Sequence, residues 1–266
     1  MAQQETYVLK VGNEVFVNGN GTFYNERLSD IVTQIATVRR EIGKKCILVS
    51  SGAIPLGRKI LEKIRSDSES LGEKQLFSSV GQAQLMKLYG EALSSHGGIA
   101  AQMLVTRDGI KAPAHSDALK VVLKGALDNE KFILPIVNAN DALDTDELKQ
   151  NGGNNRLAVA VAQLIGASRL IIMTNVNGIL RDKNSSESAI KTIGANDISW
   201  KPKAHELDQS NNGAGRLSQK CEIAQEAART GLTTQIVSGL QGGVLQRILI
   251  AKRPTGTTFE AVEQNY

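Results

Sequence analysis

Short apolar runs alternate along this chain with longer runs in which apolar residues recur every three or four positions. The first pattern is typical of buried strands and the second of amphipathic helices. Strands that alternate with helices form parallel sheets covered on both faces, so we expect an α/β fold, a three-layer αβα sandwich with a mostly parallel central sheet. The predicted strands are residues 7–11, 46–49, 100–105, 132–137 and 169–173, and the predicted helices are residues 26–42, 74–93, 116–127 and 157–165.

Length and charge limit the classes of function. The 266 residues are 41% hydrophobic, enough for one large α/β domain or two small ones, and the net charge of +4 is small and evenly spread. That balance argues against nucleic acid as a partner and favours a small anionic ligand. Cys46 and Cys221 have no metal-ligand or C-x-x-C spacing, and we expect two buried, reduced thiols. No run resembles a signal peptide or a membrane span, which predicts a cytoplasmic protein without membrane contact.

Small polar residues, glycine and charges follow four of the predicted strands, at residues 10–14, 50–53, 138–141 and 174–178. Any one of these segments is an ordinary polar loop. In a parallel sheet, however, ligands bind beyond the carboxyl ends of the strands. Four such segments after successive strands therefore predict one shared site.

Two lysines are candidates for binding phosphate. Lys10 ends the first predicted strand, and Lys220 ends the loop NNGAGRLSQK at 211–220. Neither a Walker loop nor a dinucleotide fingerprint is present, which counts against both of those nucleotide folds. Two lysines that converge on a triphosphate would offset charge around the transferred phosphorus, whereas either one alone is an ordinary solvated lysine. In the same loop, Arg216 either binds phosphate or fills the pocket.

Residues 138–141 (NAND) and 151–162 (NGGNNRLAVAVA) are candidates for binding an acceptor. The second segment enters a helix, and the free N–H groups there can meet a carboxylate. Asp141 is the natural partner for the ammonium group of an amino acid. The alternative is structural, because Asn and Asp also form turns and helix caps routinely. The three histidines have no metal-ligand spacing, so we predict no protein metal site.

Six segments carry a family resemblance through their order and spacing: VLKVG, ILVSSGAIPLGRKIL, KQLFSSVGQAQLMKLYGEAL, AQMLVTRD, ILPIVNANDALDTDEL and GTTF. They resemble the amino-acid kinase superfamily and, within it, the glutamate 5-kinase family. The resemblance spans nearly the whole chain. It implies a single amino-acid kinase domain over 1–266, with an acceptor-binding lobe at about 1–165, a nucleotide-binding lobe at about 166–266 and no PUA domain.

The resemblance implies a reaction and a set of site residues. The γ-phosphoryl group of ATP would pass to the side-chain carboxylate of L-glutamate, with Mg²⁺ bridging the phosphates, in a homo-oligomer. No general base is required, because the acceptor carboxylate is already ionised. Carried over by position, the catalytic residues are Lys10, Lys220 and Asn155; the glutamate-binding residues are Ser51, Gly52, Asp141 and Asn154; and the nucleotide-binding residues are Gly12, Thr174, Asn175, Gly213, Gly215 and Arg216.

Departures from the family pattern keep other functions open. Asn155 stands where the family has the aspartate that orients the two lysines, and Glu14 stands beside the expected phosphate position. We expect Glu14 to repel phosphate unless it turns away or binds the metal. Together with Asn175 and Arg216, these changes support a second hypothesis, a regulatory or partner subunit that has lost most catalysis. Ala139 and Gly153 support a third, a kinase for another small acid.

Overall fold

A single eight-stranded sheet forms the centre of the computed structural model, which describes residues 5–18, 21–63, 69–143, 153–182, 185, 188–210 and 217–262. The strands lie in the order β3-β4-β2-β1-β5-β7-β8-β6. Five of the eight were predicted from their apolar runs. The strands are β1 (Thr6–Val11), β2 (Lys45–Val49), β3 (Gly98–Val105), β4 (Phe132–Ala139), β5 (Arg169–Thr174), β6 (Thr192–Gly194), β7 (Thr234–Ser238) and β8 (Thr257–Glu260).

Nearly all neighbouring strands are parallel. β1 pairs with β2 and β5, β4 pairs with β2 and β3, β5 pairs with β7, and β6 pairs with β8, all in parallel. Only the β7 and β8 pair among the described strands is antiparallel. The α/β prediction with a mostly parallel sheet is therefore confirmed.

Helices cover both faces of this sheet, and the four predicted helices are confirmed with ends that shift by a few residues. Gly43 ends the second helix in the left-handed conformation (φ 68°), as a C-terminal glycine should. None of the described helices has the length and apolar content needed to cross a membrane. The helices are α1 (Asn13–Phe16), α2 (Asn25–Ile42), α3 (Ala53–Ile60), α4 (Leu71–Ser94), α5 (Arg107–Lys111), α6 (Pro113–Asp128), α7 (Gly153–Ile165), α8 (Lys201–Ser210) and α9 (Leu217–Arg229), followed by a short π-helix at Gln246–Ile250.

The side chains of each central strand divide between two hydrophobic cores. In β1, Val8 packs into one core with residues of α6, α7 and α9, whereas Tyr7 and Leu9 pack into the other with residues of α2 and α4. Alternate residues of a strand point to opposite faces, so a continuous apolar run can fill both cores. The two buried cysteines are both free, as expected, and fall into different cores.

Two glycines let α3 and α4 approach until their backbones touch. A Cβ atom on Gly57 would lie 1.8 Å from the carbonyl oxygen of Phe77, and one on Gly81 would lie 1.9 Å from that of Ala53. Only a residue without a side chain fits at either position. The contact fixes α4 against the segment that follows β2, where Ser50 also hydrogen-bonds the Tyr89 hydroxyl at 2.8 Å.

Candidate active site

Residues of four neighbouring strands meet at the carboxyl edge of the sheet. Lys10 of β1 lies in register with Val49 of β2 and Ile172 of β5, so the segments after these strands begin side by side. Asn138, the next-to-last residue of β4, lies near this edge, because the preceding Val137 pairs with Val49 of β2. The parallel topology thus brings together the segments that the sequence singled out.

Glu14 and Lys220 form a buried ion pair on the β1 and β5 side of this edge. The Lys220 Nζ atom lies 2.8 Å from Glu14 Oε1, with the two side chains 5% and 16% exposed. The Thr174 hydroxyl donates a hydrogen bond to the same carboxylate oxygen at 2.7 Å. Lys10 is also buried, and its charge acts on Glu14. The Glu14 carboxylate therefore interacts with the charges of two lysines and with one hydroxyl group.

The charges around Glu14 decide its ionisation. Burial alone would raise the pKa of Glu14, but Lys220 and Lys10 together lower the pKa to about 2. Glu14 is consequently ionised at neutral pH. The Glu14 carboxylate points toward Lys220, because both lysines attract it.

Gly12 allows this arrangement. A Cβ atom at position 12 would lie 2.4 Å from Glu14 Oε2, so any side chain there would displace the carboxylate. The Gly12 N–H group donates to the Met173 carbonyl oxygen at 3.0 Å. In this conformation Gly12 thus makes room for Glu14, and its N–H group is already used within the sheet.

The N-terminus of α9, which carries Lys220, is capped by Asp208. The Asp208 carboxylate accepts hydrogen bonds from the backbone N–H groups of Leu217 and Ser218 and from the Ser218 hydroxyl. These are the donors that a helix would otherwise offer to a phosphate. Gly213, Gly215 and Arg216, predicted to bind nucleotide, lie outside the described residues. Asn175, which was also predicted to bind nucleotide, is partly exposed and lies next to Thr174.

The predicted acceptor residues lie around β2 and β4, and two of them, Ser51 and Asn154, are hydrogen-bonded to each other. Asn154, in the first turn of α7, donates from Nδ2 to Ser51 Oγ at 3.0 Å and to Asn138 Oδ1 at 3.2 Å. Asp141 is buried and accepts from the Ser78 hydroxyl at 3.4 Å. Gly52 has φ 110°, a conformation that favours glycine, and it leads into α3.

Unpaired polar atoms mark this region. Asn154 Oδ1, Asn155 Oδ1 and Gln82 Nε2 are buried without a hydrogen-bond partner. Each such atom costs about 1–3 kcal/mol unless water or a ligand satisfies it. Asn155, predicted to be catalytic, is 5% exposed, and its lone amide oxygen is a free acceptor.

Three residues of the site were not predicted in these roles: Gln82, Asp208 and Glu14 as a lysine partner. Gln82 is a buried glutamine inside a helix, and the hydrophobic periodicity of α4 gave it no functional signal. Asp208 lies in α8 but caps α9, and sequence spacing cannot reveal a cap that comes from another helix. Among the described residues, no group of three or more His, Cys, Asp or Glu side chains could hold a metal ion.

Comparison with known proteins identifies the class. Residues 5–238 match the model of the amino acid kinase family. Two solved structures share the fold, each with a TM-score of 0.60: the UMP kinase of Bacillus anthracis (14% identity, 97% of each chain covered) and the carbamate kinase of Giardia lamblia bound to AMP-PNP (15% identity, 98% of this chain and 100% of that chain). The chain belongs to the amino acid kinase family.

Curated relatives within this family are glutamate 5-kinases. The enzyme of Erwinia tasmaniensis is 30% identical over 266 residues, which cover 99% of this chain and 71% of the relative. That of Salmonella arizonae is 32% identical over 264 residues, which cover 98% of this chain and 70% of the relative. These similarities confirm the resemblance seen in the sequence and support a phosphotransferase.

Proposed function

We propose that this protein transfers the γ-phosphoryl group of ATP to the side-chain carboxylate of L-glutamate, the first step of proline biosynthesis. The curated relatives support this reaction by their name. The observation that carries the proposal is the Lys220, Glu14 and Lys10 cluster at the carboxyl edge of the sheet. Two buried cations that already hold one anionic group form an environment suited to a phosphoryl group.

In the proposed reaction the protein positions the two substrates and offsets charge, and it does not have to transfer a proton. An oxygen of the acceptor carboxylate attacks the γ-phosphorus, the bond to the bridging oxygen breaks, and ADP leaves. The carboxylate is ionised at neutral pH, so no side chain has to remove a proton. Lys10 and Lys220 offset the charge on the phosphoryl oxygens. Glu14 offsets the charges of the two lysines and holds Lys220 by an ion pair until the nucleotide arrives.

ATP and Mg²⁺ are compatible with the residues present. Two ammonium groups come from Lys10 and Lys220, and a hydroxyl group comes from Thr174. All three are ordinary contacts of a phosphate. Mg²⁺ commonly keeps several waters and binds to phosphates with only one or two carboxylates, so it needs no cage of protein ligands. In this cluster Glu14 is the carboxylate that would face the ion. The ion would supply charge neutralisation on the phosphates.

The test is turnover of ATP by the purified protein with L-glutamate, with the acyl phosphate trapped as the hydroxamate. We expect glutamate-dependent product, and a loss of at least about a hundredfold in Lys10→Ala and Lys220→Ala, the range found when an electrostatic contact to the reacting group is removed. Lys87→Ala, on the exposed surface of α4, is the matched control. Full activity in both site variants would refute the residue assignment.

A second candidate is a regulatory or partner subunit that binds ligands without efficient catalysis. Two carboxylates of the chain favour it, because Glu14 contacts Lys220 and Asp208 caps the helix that carries Lys220. Both occupy positions where the proposed kinase would place phosphate. The same assay separates the two candidates: folded protein that forms no product with any acid would support the subunit.

The remaining features of the proposal rest on the family resemblance. We propose an acceptor-binding lobe at about 1–165 and a nucleotide-binding lobe at about 166–266, a homo-oligomer, and a cytoplasmic location. A kinase for another small acid stays the third hypothesis. A panel of carboxylic acids in the hydroxamate assay distinguishes it, since the preferred acceptor would then differ from glutamate.

A further inference from the structure

A chain of amide side chains links α4, β4 and α7, and one backbone group fixes the direction of every hydrogen bond in it. The Ala139 N–H group donates to Asn138 Oδ1 at 2.9 Å. A backbone N–H group can only donate, so the Asn138 atom that faces it must be the oxygen. The orientation of the Asn138 amide is therefore determined by its chemistry.

The orientation of Asn138 then determines the other two amides. Asn138 Nδ2 donates to Gln82 Oε1 at 2.8 Å, so Gln82 must turn its oxygen toward Asn138 and its Nε2 group elsewhere. Asn154 must turn its Nδ2 group toward Asn138 Oδ1 and its oxygen elsewhere. The two ends of the chain are thus a donor, Gln82 Nε2, and an acceptor, Asn154 Oδ1, and both are unpaired.

Gln82 lies in the wall of a cavity of about 330 Å³ between α4, β3 and the end of β4. The same cavity is lined by Ser78 and Asp141. The Gln82 side chain is 8% exposed. Its neighbour Gly81 touches the Ala53 backbone, which fixes this part of α4 against the segment after β2. Gln82, which carries the unpaired donor, therefore lines the same cavity as the buried Asp141, on a part of α4 that is fixed in place.

The polarity of these groups defines a complementary ligand. A donor at Gln82 calls for an acceptor oxygen, which a carboxylate supplies, and an acceptor at Asn154 with the Asp141 carboxylate calls for an ammonium group. Asn138, the partner of Gln82, is the next-to-last residue of β4, which is two strands from β1 and Lys10. That is about 10 Å at the usual strand spacing, so an extended molecule can reach from Gln82 toward the lysines.

We propose that Gln82 is a specificity-determining residue of the acceptor site. Its Nε2 group donates to the α-carboxylate of a bound α-amino acid, and the side-chain carboxylate of that ligand lies toward Lys10. This inference rests on the proposed function, since it takes the acceptor to be an amino acid with two carboxylates. It assigns to Gln82 the recognition of the carboxylate that does not react.

The test compares two ligands that differ only in the α-carboxylate, L-glutamate and 4-aminobutyrate. Each is titrated calorimetrically into the complete chain, both without nucleotide and with AMP-PNP. In Gln82→Glu the donor becomes an anionic acceptor, and in Gln82→Leu it is removed. We expect the preference for L-glutamate over 4-aminobutyrate to fall at least about tenfold in both variants, the effect of losing one hydrogen bond to a charged group.

Gln84→Glu, two residues along the same helix, is the matched control and should keep the wild-type preference. Both affinities are measured on the same preparation of each variant, so a loss of folded protein affects them equally and cancels in their ratio. The proposal is overturned if the ratio in both Gln82 variants stays within about twofold of the wild type, the limit of additivity for independent groups. It is also overturned if the wild type binds no amino acid.

The outcome is separable from that of the proposed reaction. Wild-type protein that binds L-glutamate through Gln82 but forms no hydroxamate would refute the kinase and support this inference. Wild-type protein that forms hydroxamate, with Gln82 variants that keep the wild-type preference, would support the kinase and refute this inference.

Discussion

Two opposing effects act on the carboxyl group of Glu14. Burial favours its neutral form, whereas Lys220 and Lys10 favour the ionised form, and the lysines prevail because the pKa falls to about 2. The three side chains are thus interdependent. Removing Glu14 would leave two buried ammonium groups without this carboxylate, which is costly even when the intact group contributes little net stability.

Acid should remove the contribution of Glu14 to stability. Its pKa in the folded chain lies below the ordinary value of 4.5, so the contribution is complete above that value and is lost as the pH falls toward 2. The shift corresponds to about 3 kcal/mol. We therefore expect the difference in unfolding free energy between wild type and Glu14→Gln to be constant from pH 7 to about pH 5 and to shrink below it.

Urea denaturation at pH 7, 5 and 3.5 measures this difference. Glu26→Gln is a suitable control, because Glu26 is an exposed carboxylate on α2. A difference between wild type and Glu14→Gln that is the same at pH 7 and pH 3.5 would contradict the assignment of the ion pair.

Backbone topology accounts for the part of the site that the sequence could predict. Lys10, Ser51 and Thr174 follow parallel strands, and parallel strands end at a common edge. The contacts of Glu14, Gln82 and Asp208 depend instead on how side chains turn inside folded segments. The sequence predicts that a carboxylate at Glu14 repels phosphate, whereas its ion pair with Lys220 depends on a three-dimensional placement that the sequence does not give.

At the scale of elements, the contact of α3 with α4 is the tightest helix packing that we describe. Adding a methyl group at Gly81 would press against the backbone oxygen of Ala53, which cannot move without shifting the whole helix. Gly90 lies on the same helix, and a Cβ atom added there would meet nothing within 4 Å beyond the adjacent backbone of α4 itself. The two glycines therefore separate packing from intrinsic helix propensity.

We expect Gly81→Ala to lower the free energy of unfolding by about 3 kcal/mol, at the upper end of the cost of overpacking. Gly90→Ala should instead raise it by about 0.5–1 kcal/mol, since alanine favours a helix more than glycine does. Chemical denaturation of both variants measures the effects. Equal stability of the two variants would mean that the helices separate easily.

Two of the strands that sequence patterns missed, β6 and β8, share a physical cause. β1, β2, β4 and β5 are apolar runs buried on both faces, which the sequence displays directly. β6 comprises only Thr192–Gly194, and β8 is the polar segment Thr257–Glu260. Their strand conformation comes from pairing with each other and with β7, which local composition does not encode.

At the scale of the whole molecule, an apolar groove lies at one edge of the sheet. β3 is the outermost strand, and Leu104 of β3 and Val122 of α6 line a groove of about 360 Å³. These side chains are 43% and 54% exposed, and the adjacent Val121 is 70% exposed. Contiguous exposed apolar surface next to an open edge strand is typical of an interface, in keeping with the proposed homo-oligomer.

Val122→Lys should therefore shift the protein toward monomers, because a charge placed in an apolar interface loses its hydration without a partner. Sedimentation velocity over a range of protein concentrations measures the change. Ile198→Lys is the control, since Ile198 is 57% exposed but does not line this groove. A wild-type protein that sediments as a monomer throughout would refute the homo-oligomer.

The position of β8 sets the order in which the molecule can be completed. β8 lies between β7 and β6, and Thr257 also accepts a hydrogen bond from the Ile179 N–H group. During synthesis, β1 to β5 leave the ribosome before β6 to β8 and can assemble from neighbouring segments. β6 must wait for β8, which is made after it, and α9 with its Lys220 gains the support of β8 only then. A nascent chain would accordingly form its amide cluster before its paired lysines.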